Sequence, residues 1–444
     1  MKLLIEAMRR VPALNSAAFE KAMLALSSGP VAGLVRSAER RKLRRIRHVE
    51  RILVISDTNI GDSVLLKTAL PVVARRLPHV AVDFACHHKV VEMMDPDPVI
   101  DRCVGLPGGG PEGAGIAAGR LVEKTGDRRY DLVLNFCPFI SERQVGHAEA
   151  VVLEPISLAG NILRAYRQGE IAALPKHVVD FVSGVVDQLA GARARESDED
   201  AVCKPVVFLS ADHRHAARRW LEGRPWKERG TVVFVNPDCS NESTRVGVDV
   251  FADICRSLAE VGRIDGIVLG HGFTYPGVER EILGRMSAAA RRKIELMSPD
   301  LGLAGFAALC DCCAVYVGAD TGPLHIAAAH KAPAQPDRPL RNQTVVVGLF
   351  KATEPRIYGY CSRRADMIDS AQAAESTVFE GRPPCKNLTC SLQRLTKTCP
   401  ALECGEDLNP TSVVDFIIGA VEGRVFRSSA DAGGDSGSSA TAIS

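Results

Sequence analysis

Long apolar runs are missing from this 444-residue chain, and so is any strong excess of charge. No stretch approaches the roughly 18–20 consecutive apolar residues that a bilayer-spanning helix needs, so a transmembrane protein is not expected. The opening "MKLLIEAMRRVPALNSAAFEKAMLAL" lacks an uncharged core followed by a cleavage site, so a secretory signal is not expected either. The first apolar strand is not followed by G-x-G-x-x-G, which leaves NAD binding without support. Aromatic residues make up 5% of the chain and do not interleave with basic ones, so nucleic acid is the weakest class of partner. Cysteine is not scarce, with 14 in all, but most sit singly in apolar segments such as "CRSLAEVG" and "DCCAVYVG". There a thiol packs as a small hydrophobe, and the chain reads as reduced and cytoplasmic.

What is present is ordinary for a globular protein: 46% apolar and 24% charged residues. The length favours two domains over one core. The net charge of +2 conceals an asymmetry, because residues 1–51 hold 12 Lys/Arg against 4 Glu, a balance of +8 that leaves −6 for the rest. Most of the excess lies in "RSAERRKLRRIRHVER", Arg36 to Arg51. A basic amphipathic helix of this kind suits an anionic membrane surface; a merely solvated face is the next reading, nucleic acid the last.

From Arg51 short β-branched runs alternate with helical stretches. "RILVIS", "VAVDFAC", "VIDRCVGL" and "YDLVLNF" read as strands, with helices at "GDSVLLKTALPVVARRL", "KVVEMM" and "IAAGRLVEK" and a loop at "GGGPEGAG". Acidic, polar "ESDEDAVCK" and turn-rich "EGRPWKERG" mark the neighbourhood of a junction. The alternation then restarts with strands at "TVVFVNP", "IDGIVLG", "KIELM" and "AVYVGA" and helices at "VDVFADICRSLAEVG", "VEREILGRMS" and "LAGFAALC", and "TVVVGLF" closes the series. Strand–helix alternation implies parallel βαβ units, so the pattern predicts an α/β protein of two doubly wound domains facing a cleft.

Two strand ends carry polar residues that open a helix. In "SDTNIGDSVLLKTALP", Asp62 lies at the mouth of the first domain, either as a first-turn carboxylate complementing the helix dipole or as a general base facing the cleft. In "YVGADTGPLHIAAAH", Asp320 and Thr321 fall where a strand ends and a helix begins, with Pro323 in its first turn; ligands of open α/β sheets bind at such ends. An ordinary capped helix is the alternative there. "DPDP", Asp95 to Pro98, has D-x-D spacing but reads as a turn, and His87-His88 reads as surface.

Taken in order, these segments resemble glycosyltransferase family 9, the heptosyltransferases of lipopolysaccharide assembly. "RILVISDTNIGDSVLLKTALPVVARRLP" is similar to the family's opening strand, Gly-Asp and proline-containing helix, and "YDLVLNF" to its later strand. "TVVFVNPDCSNESTRVGVDVFADI" resembles its Asn-Pro-x-x-Ser phosphate loop. "LAGFAALCDCCAVYVGADTGPLHIAAAH" matches its Asp-Thr-Gly-Pro-x-His-x-Ala-Ala block, and "VGLFKATEPRIYGYC" its Phe-Gly-x-Thr-x-Pro loop. The resemblance runs from about Arg51 to Val421 and implies the GT-B type of fold, two Rossmann-like domains, with metal-independent, inverting sugar transfer. It places Asp62 on the catalytic carboxylate, and Ser240, Arg245, Asp320, Thr321, Gly322 and His325 on the donor pocket. No metal and no cofactor beyond the sugar-nucleotide substrate are implied.

Departures fall around the donor. Val246 and Gly247 replace the family's Trp-Pro, Thr244 takes the position of its phosphate-binding lysine, and Phe350-Lys351 replaces Phe-Gly, with Lys351 a source of compensating charge. "AHKAPAQPDRPLRNQ" is longer than the usual connection. Cys385, Cys390, Cys399 and Cys404 have no standard zinc spacing, although four thiolates can bind zinc. The expected organisation is a basic helical arm over 1–50, an acceptor domain over 51–225, a donor-nucleotide domain over 226–408, a helix over 409–426 and a disordered tail over 427–444. The expected function is transfer of a heptose or related sugar from an ADP-sugar to a lipid-linked saccharide, at the inner membrane's cytoplasmic face. A different sugar nucleotide, or a non-catalytic sugar-nucleotide-binding protein, is the alternative.

Overall fold

The computed structural model describes residues 41–153, 189, 205–333, 344–351, 376–380 and 408–422, apart from gaps of one to three residues. The basic arm before residue 41, the tail after 422 and the four cysteines from Cys385 to Cys404 lie outside the described residues.

Among the described residues the first half forms a five-stranded sheet. Its strands are β1 (Arg51–Ile55), β2 (Ala81–His87), β3 (Arg102–Leu106), β4 (Leu132–Asn135) and β5 (Val151–Leu153), in the order β3-β2-β1-β4-β5. All pairings are parallel. The helices are α1 (Ile60–Lys67), α2 (Leu70–Arg76), α3 (Val91–Met94) and α4 (Gly110–Thr125). The stretch read as one helix from Gly61 is therefore two. Pro71 sits in the first turn of α2 and has no N–H for the carbonyl of Lys67, so the helix resets at Thr68–Ala69. The expected loop "GGGPEGAG" is helical from Gly110 onward, local glycine content giving way to the apolar face Ala117, Ala118 and Leu121 that packs on the sheet.

The second half contains β6 (Val206–Phe208), α5 (Ala211–Glu222), β7 (Val232–Asn236), α6 (Val248–Glu260), β8 (Gly266–Leu269), α7 (Val278–Gly284) and α8 (Ala288–Arg291). It continues through β9 (Ile294–Leu296), α9 (Gly302–Cys312), β10 (Val315–Ala319), α10 (Gly322–Ala328), β11 (His330–Ala332), β12 (Val345–Phe350), β13 (Ser376–Glu380) and α11 (Pro410–Val421). A six-stranded parallel sheet has the order β13-β12-β10-β7-β8-β9. The series thus does not close at β12. Nor is "AHKAPAQPDRPLRNQ" only a connection, since its first residues form β11, which pairs in parallel with β6.

β7, β10 and β12 are buried along their whole length, as a parallel sheet covered on both faces requires. α6 supplies one cover with Phe251, Ile254, Cys255 and Leu258, spaced at helical intervals and all buried. The thiols of Cys86, Cys137, Cys239, Cys255, Cys310 and Cys313 are likewise buried.

The two halves share an apolar core. Leu65, Leu70 and Met93 of the first half belong to the same packed cluster as Leu209, Phe306, Ile326 and Phe350 of the second. A buried ion pair sits in that seam. Lys67 Nζ lies 2.8 Å from Asp97 Oδ2, with side-chain exposures of 1% and 8%, and also donates to the carbonyl of Val206. Asp97 thus does more than close the "DPDP" turn. β6 and α5 pack with the second half, where Arg214 binds Asp311 at 3.0 Å and the carbonyl of Pro333 at 2.7 Å.

Candidate active site

Both large sheets change winding direction, between β1 and β4 in the first and between β7 and β10 in the second. The carboxyl ends of strands at such points are where side chains from successive loops converge.

At the end of β1, Asn59 enters α1 in an extended conformation, and its amide does not cap the helix but donates to Asp62 Oδ2 at 3.1 Å. The next residue is locked. Ser63 Oγ donates to the carbonyl of Asn59 at 2.8 Å, contacts Ser56 Oγ at 2.7 Å and accepts from the His87 N–H at 3.0 Å. The first turn of α1 is therefore fixed from two strands, and Asp62, half-buried, is held on it. His87, read as surface, is buried. Its Nδ1 accepts from the Lys89 N–H at 3.1 Å, and burial pushes its pKa down to about 4.

At the end of β10, the N–H of Asp320 donates to the Leu349 carbonyl of β12 at 3.3 Å. Thr321 precedes α10 without a side-chain capping bond; its hydroxyl turns back to the Ala319 carbonyl at 3.4 Å. The plain capped helix is thus not what forms. His325 is buried, with Nε2 3.5 Å from Asp320 Oδ1. Burial lowers its pKa, while the carboxylates of Asp320 and Asp62 pull the other way.

These two helix starts meet across the seam. A Cβ added to Gly61 would stand 2.9 Å from His325 Cδ2 and 3.2 Å from Gly322 Cα. One added to Gly322 would stand 2.9 Å from Ile60 Cγ2 and 3.2 Å from the Gly61 nitrogen. The space a side chain at Gly322 would fill is taken by the Ile60 side chain and the Gly61 backbone. Asp62, Asp320, Gly322 and His325 are thus brought together, with Thr321 beside them.

Ser240 and Arg245 stand on the adjoining loop after β7. There Asp238, buried, accepts from the Thr274 N–H at 3.0 Å, the Thr274 hydroxyl at 2.7 Å and the Tyr275 N–H at 3.0 Å, which ties the loops after β7 and β8 together. Thr244 is buried, 3.1 Å from Cys239 Sγ. Ser240 is exposed. The Arg245 guanidinium lies 4.3 Å from the centre of the Tyr275 ring, a cation–π contact. Its carbonyl accepts from Lys351 Nζ at 3.1 Å. Gly61, Asp238 and Tyr275 were not read as site residues in the sequence. The Gly-Asp pair was the available signal for the first; nothing local marks the other two, which act through contacts between loops.

Among the described residues no group of three His, Cys, Asp or Glu side chains is arranged to hold a metal ion. No helix among them is long and apolar enough to cross a membrane.

Residues 176–387 match the family model described as glycosyltransferase family 9 (heptosyltransferase). By this match the protein is a glycosyltransferase. Solved structures agree in fold. A glycosyl transferase family 9 protein from Veillonella parvula DSM 2008 superposes with a TM-score of 0.58 at 15% identity, covering 84% of this glycosyltransferase and 97% of that chain. For the E. coli ADP-heptose lps heptosyltransferase II the values are 0.52, 13%, 84% and 99%. For the E. coli heptosyltransferase WaaC with ADP-2-deoxy-2-fluoro heptose they are 0.50, 16%, 83% and 99%. The shared architecture is GT-B. No curated protein matches the glycosyltransferase in sequence.

Proposed function

We propose that this glycosyltransferase moves a heptose from ADP-heptose to a hydroxyl of a lipid-linked, lipopolysaccharide-type saccharide, with inversion at the anomeric carbon and without a metal. The family description, the ADP-heptose named for one structural neighbour and the ADP-2-deoxy-2-fluoro heptose named for another support the sugar. The observation that carries the mechanism is the abutment of α1 and α10, which sets the carboxylate of Asp62 beside the Asp320–His325 pair.

A hydroxyl is a poor nucleophile at neutral pH. In this reading Asp62 takes its proton as the oxygen attacks the anomeric carbon and the bond to the diphosphate breaks. Asn59 holds one oxygen of that carboxylate and so aims the other. The departing ADP gathers negative charge, which Arg245 and the Ser240 hydroxyl meet. Asp320 accepts from sugar hydroxyls, and buried, neutral His325 holds its orientation. The basic segment Arg36 to Arg51 draws the enzyme to the anionic cytoplasmic leaflet where such acceptors are carried.

Replacing Asp62 by Asn keeps shape and removes the base. Transfer from ADP-heptose should fall by roughly 10²–10⁴-fold, while ADP still raises the melting temperature by mass action. Turnover retained by Asp62→Asn removes Asp62 from the role. A wild-type protein whose melting temperature no ADP-, GDP- or UDP-sugar raises removes the reading itself.

A further inference from the structure

Tyr275, on the loop after β8, is fixed at both ends. Its N–H donates at 3.0 Å to Asp238, the buried carboxylate on the loop after β7, which also takes the N–H and hydroxyl of Thr274. Its phenol lies 3.4 Å from Glu281 Oε1, and its ring packs against the apolar cluster around the second sheet. A tyrosine tied in this way presents one face of its ring in a fixed direction.

Arg245 lies on that face, its guanidinium 4.3 Å from the ring centre. The residues on either side of it, Thr244 and Val246, are buried, and its carbonyl accepts from Lys351 Nζ at 3.1 Å. The backbone of Arg245 is therefore pinned, and the ring fixes what is left, a long side chain with several free torsions. Stacking uses the flat face of a guanidinium and leaves its in-plane fork of N–H groups for a ligand. Among the described residues the contact made by this guanidinium is the ring and not a carboxylate. Its Nε is buried without a hydrogen-bond partner, a cost that an anion bound in the plane of the fork can offset.

We propose that Tyr275 is a positioning residue of the donor site, its ring holding Arg245 in the orientation in which the edge of the guanidinium meets the diphosphate. The assignment rests on the transferase reading above and adds to it the residue that sets the arginine. An arginine already immobilised loses less rotamer freedom when a phosphate arrives. The ring should therefore be felt in affinity for phosphate groups and not in affinity for the nucleoside.

The test is calorimetric titration of the full chain and its Tyr275→Leu, Tyr275→Phe and Arg245→Gln variants with inorganic pyrophosphate, ADP and adenosine. Tyr275→Leu should bind pyrophosphate and ADP roughly three- to thirtyfold more weakly, the loss of one cation–π contact, with adenosine affinity unchanged. Tyr275→Met stands in if the leucine variant does not fold. Tyr275→Phe keeps the ring face and should keep most of the affinity. In the Arg245→Gln background, Tyr275→Leu should cost nothing further, because the group it positions is gone. A folded Tyr275→Leu protein that binds pyrophosphate as the wild type does overturns the assignment. So does a loss that persists undiminished in the Arg245→Gln background, since Tyr275 would then only brace the loop. A Tyr275→Phe protein as impaired as Tyr275→Leu, or an Arg245→Gln protein that binds pyrophosphate normally, overturns it as well. In each of these cases wild-type binding of ADP leaves the transferase reading standing, whereas a wild-type protein that binds neither ADP nor pyrophosphate overturns both.

Discussion

The contact between α1 and α10 can be tested by adding a single methyl group. In Gly61→Ala the new Cβ would lie 2.9 Å from His325 Cδ2, 3.2 Å from Gly322 Cα and 3.3 Å from the Gly322 nitrogen. The first neighbour belongs to a ring buried within α10, and the other two are backbone of a helix start tied through Asp320 to β12. None can swing aside without moving the strand end that bears it. Overpacking of this kind costs about 1–3 kcal/mol, which for a protein of this size lowers the melting temperature by roughly 1 °C per kcal/mol. The same displacement moves Asp62 relative to His325, so kcat should fall while affinity for ADP, which the proposed function places on the second lobe, changes little. Gly119→Ala is the control. It sits in the interior of α4 with nothing within 4 Å of the added Cβ, and should stabilise by about 1 kcal/mol through helix propensity alone. Thermal melts and steady-state transfer on both variants decide the matter. A Gly61→Ala protein that melts and turns over like the wild type would show that the two helix starts are not in contact, and the cross-lobe placement of Asp62 would go with it.

The seam pair offers a second test. Lys67→Met strands Asp97 in a buried site and should cost about 3–5 kcal/mol in urea denaturation, whereas Lys67→Met with Asp97→Asn should recover a substantial part, because paired removal leaves no buried charge. Stability should also fall with acid. Burial holds His87 at about 4, below the usual 6.5, so it folds neutral; its contribution is complete above about pH 6.5 and is lost as pH falls from there toward 4, by up to about 3 kcal/mol. His147 and His325, also lowered by burial, add in the same direction. Urea midpoints from pH 7 to 4 on wild type and His87→Gln check the sign, and the variant should show the shallower fall.

Strand identity was legible because buried parallel strands read as unbroken apolar runs, and "VVFV", "VYVGA" and "VVVGLF" are such runs. The helix over "VDVFADICRSLAEVG" was legible from its spacing, and Asp62 and Asp320 from polar residues placed where a strand gives way to a helix. β5, β6 and β11 were not, since each is three residues long and forms where a partner edge is present, whereas β9, equally short, lies in the run "KIELM" that reads as a strand. The sequence by itself determined the two parallel sheets and the polar strand ends, because hydrophobic periodicity and strand–helix alternation are properties of neighbours along the chain. Only the tertiary structure decided that Gly61 and Gly322 touch, that Lys67 reaches Asp97, that His87 is buried and that Lys351 meets the loop of Arg245. Each of those depends on contacts between stretches remote in the chain, and Gly61 and Gly322, 261 positions apart and in different lobes, leave no mark on either local stretch.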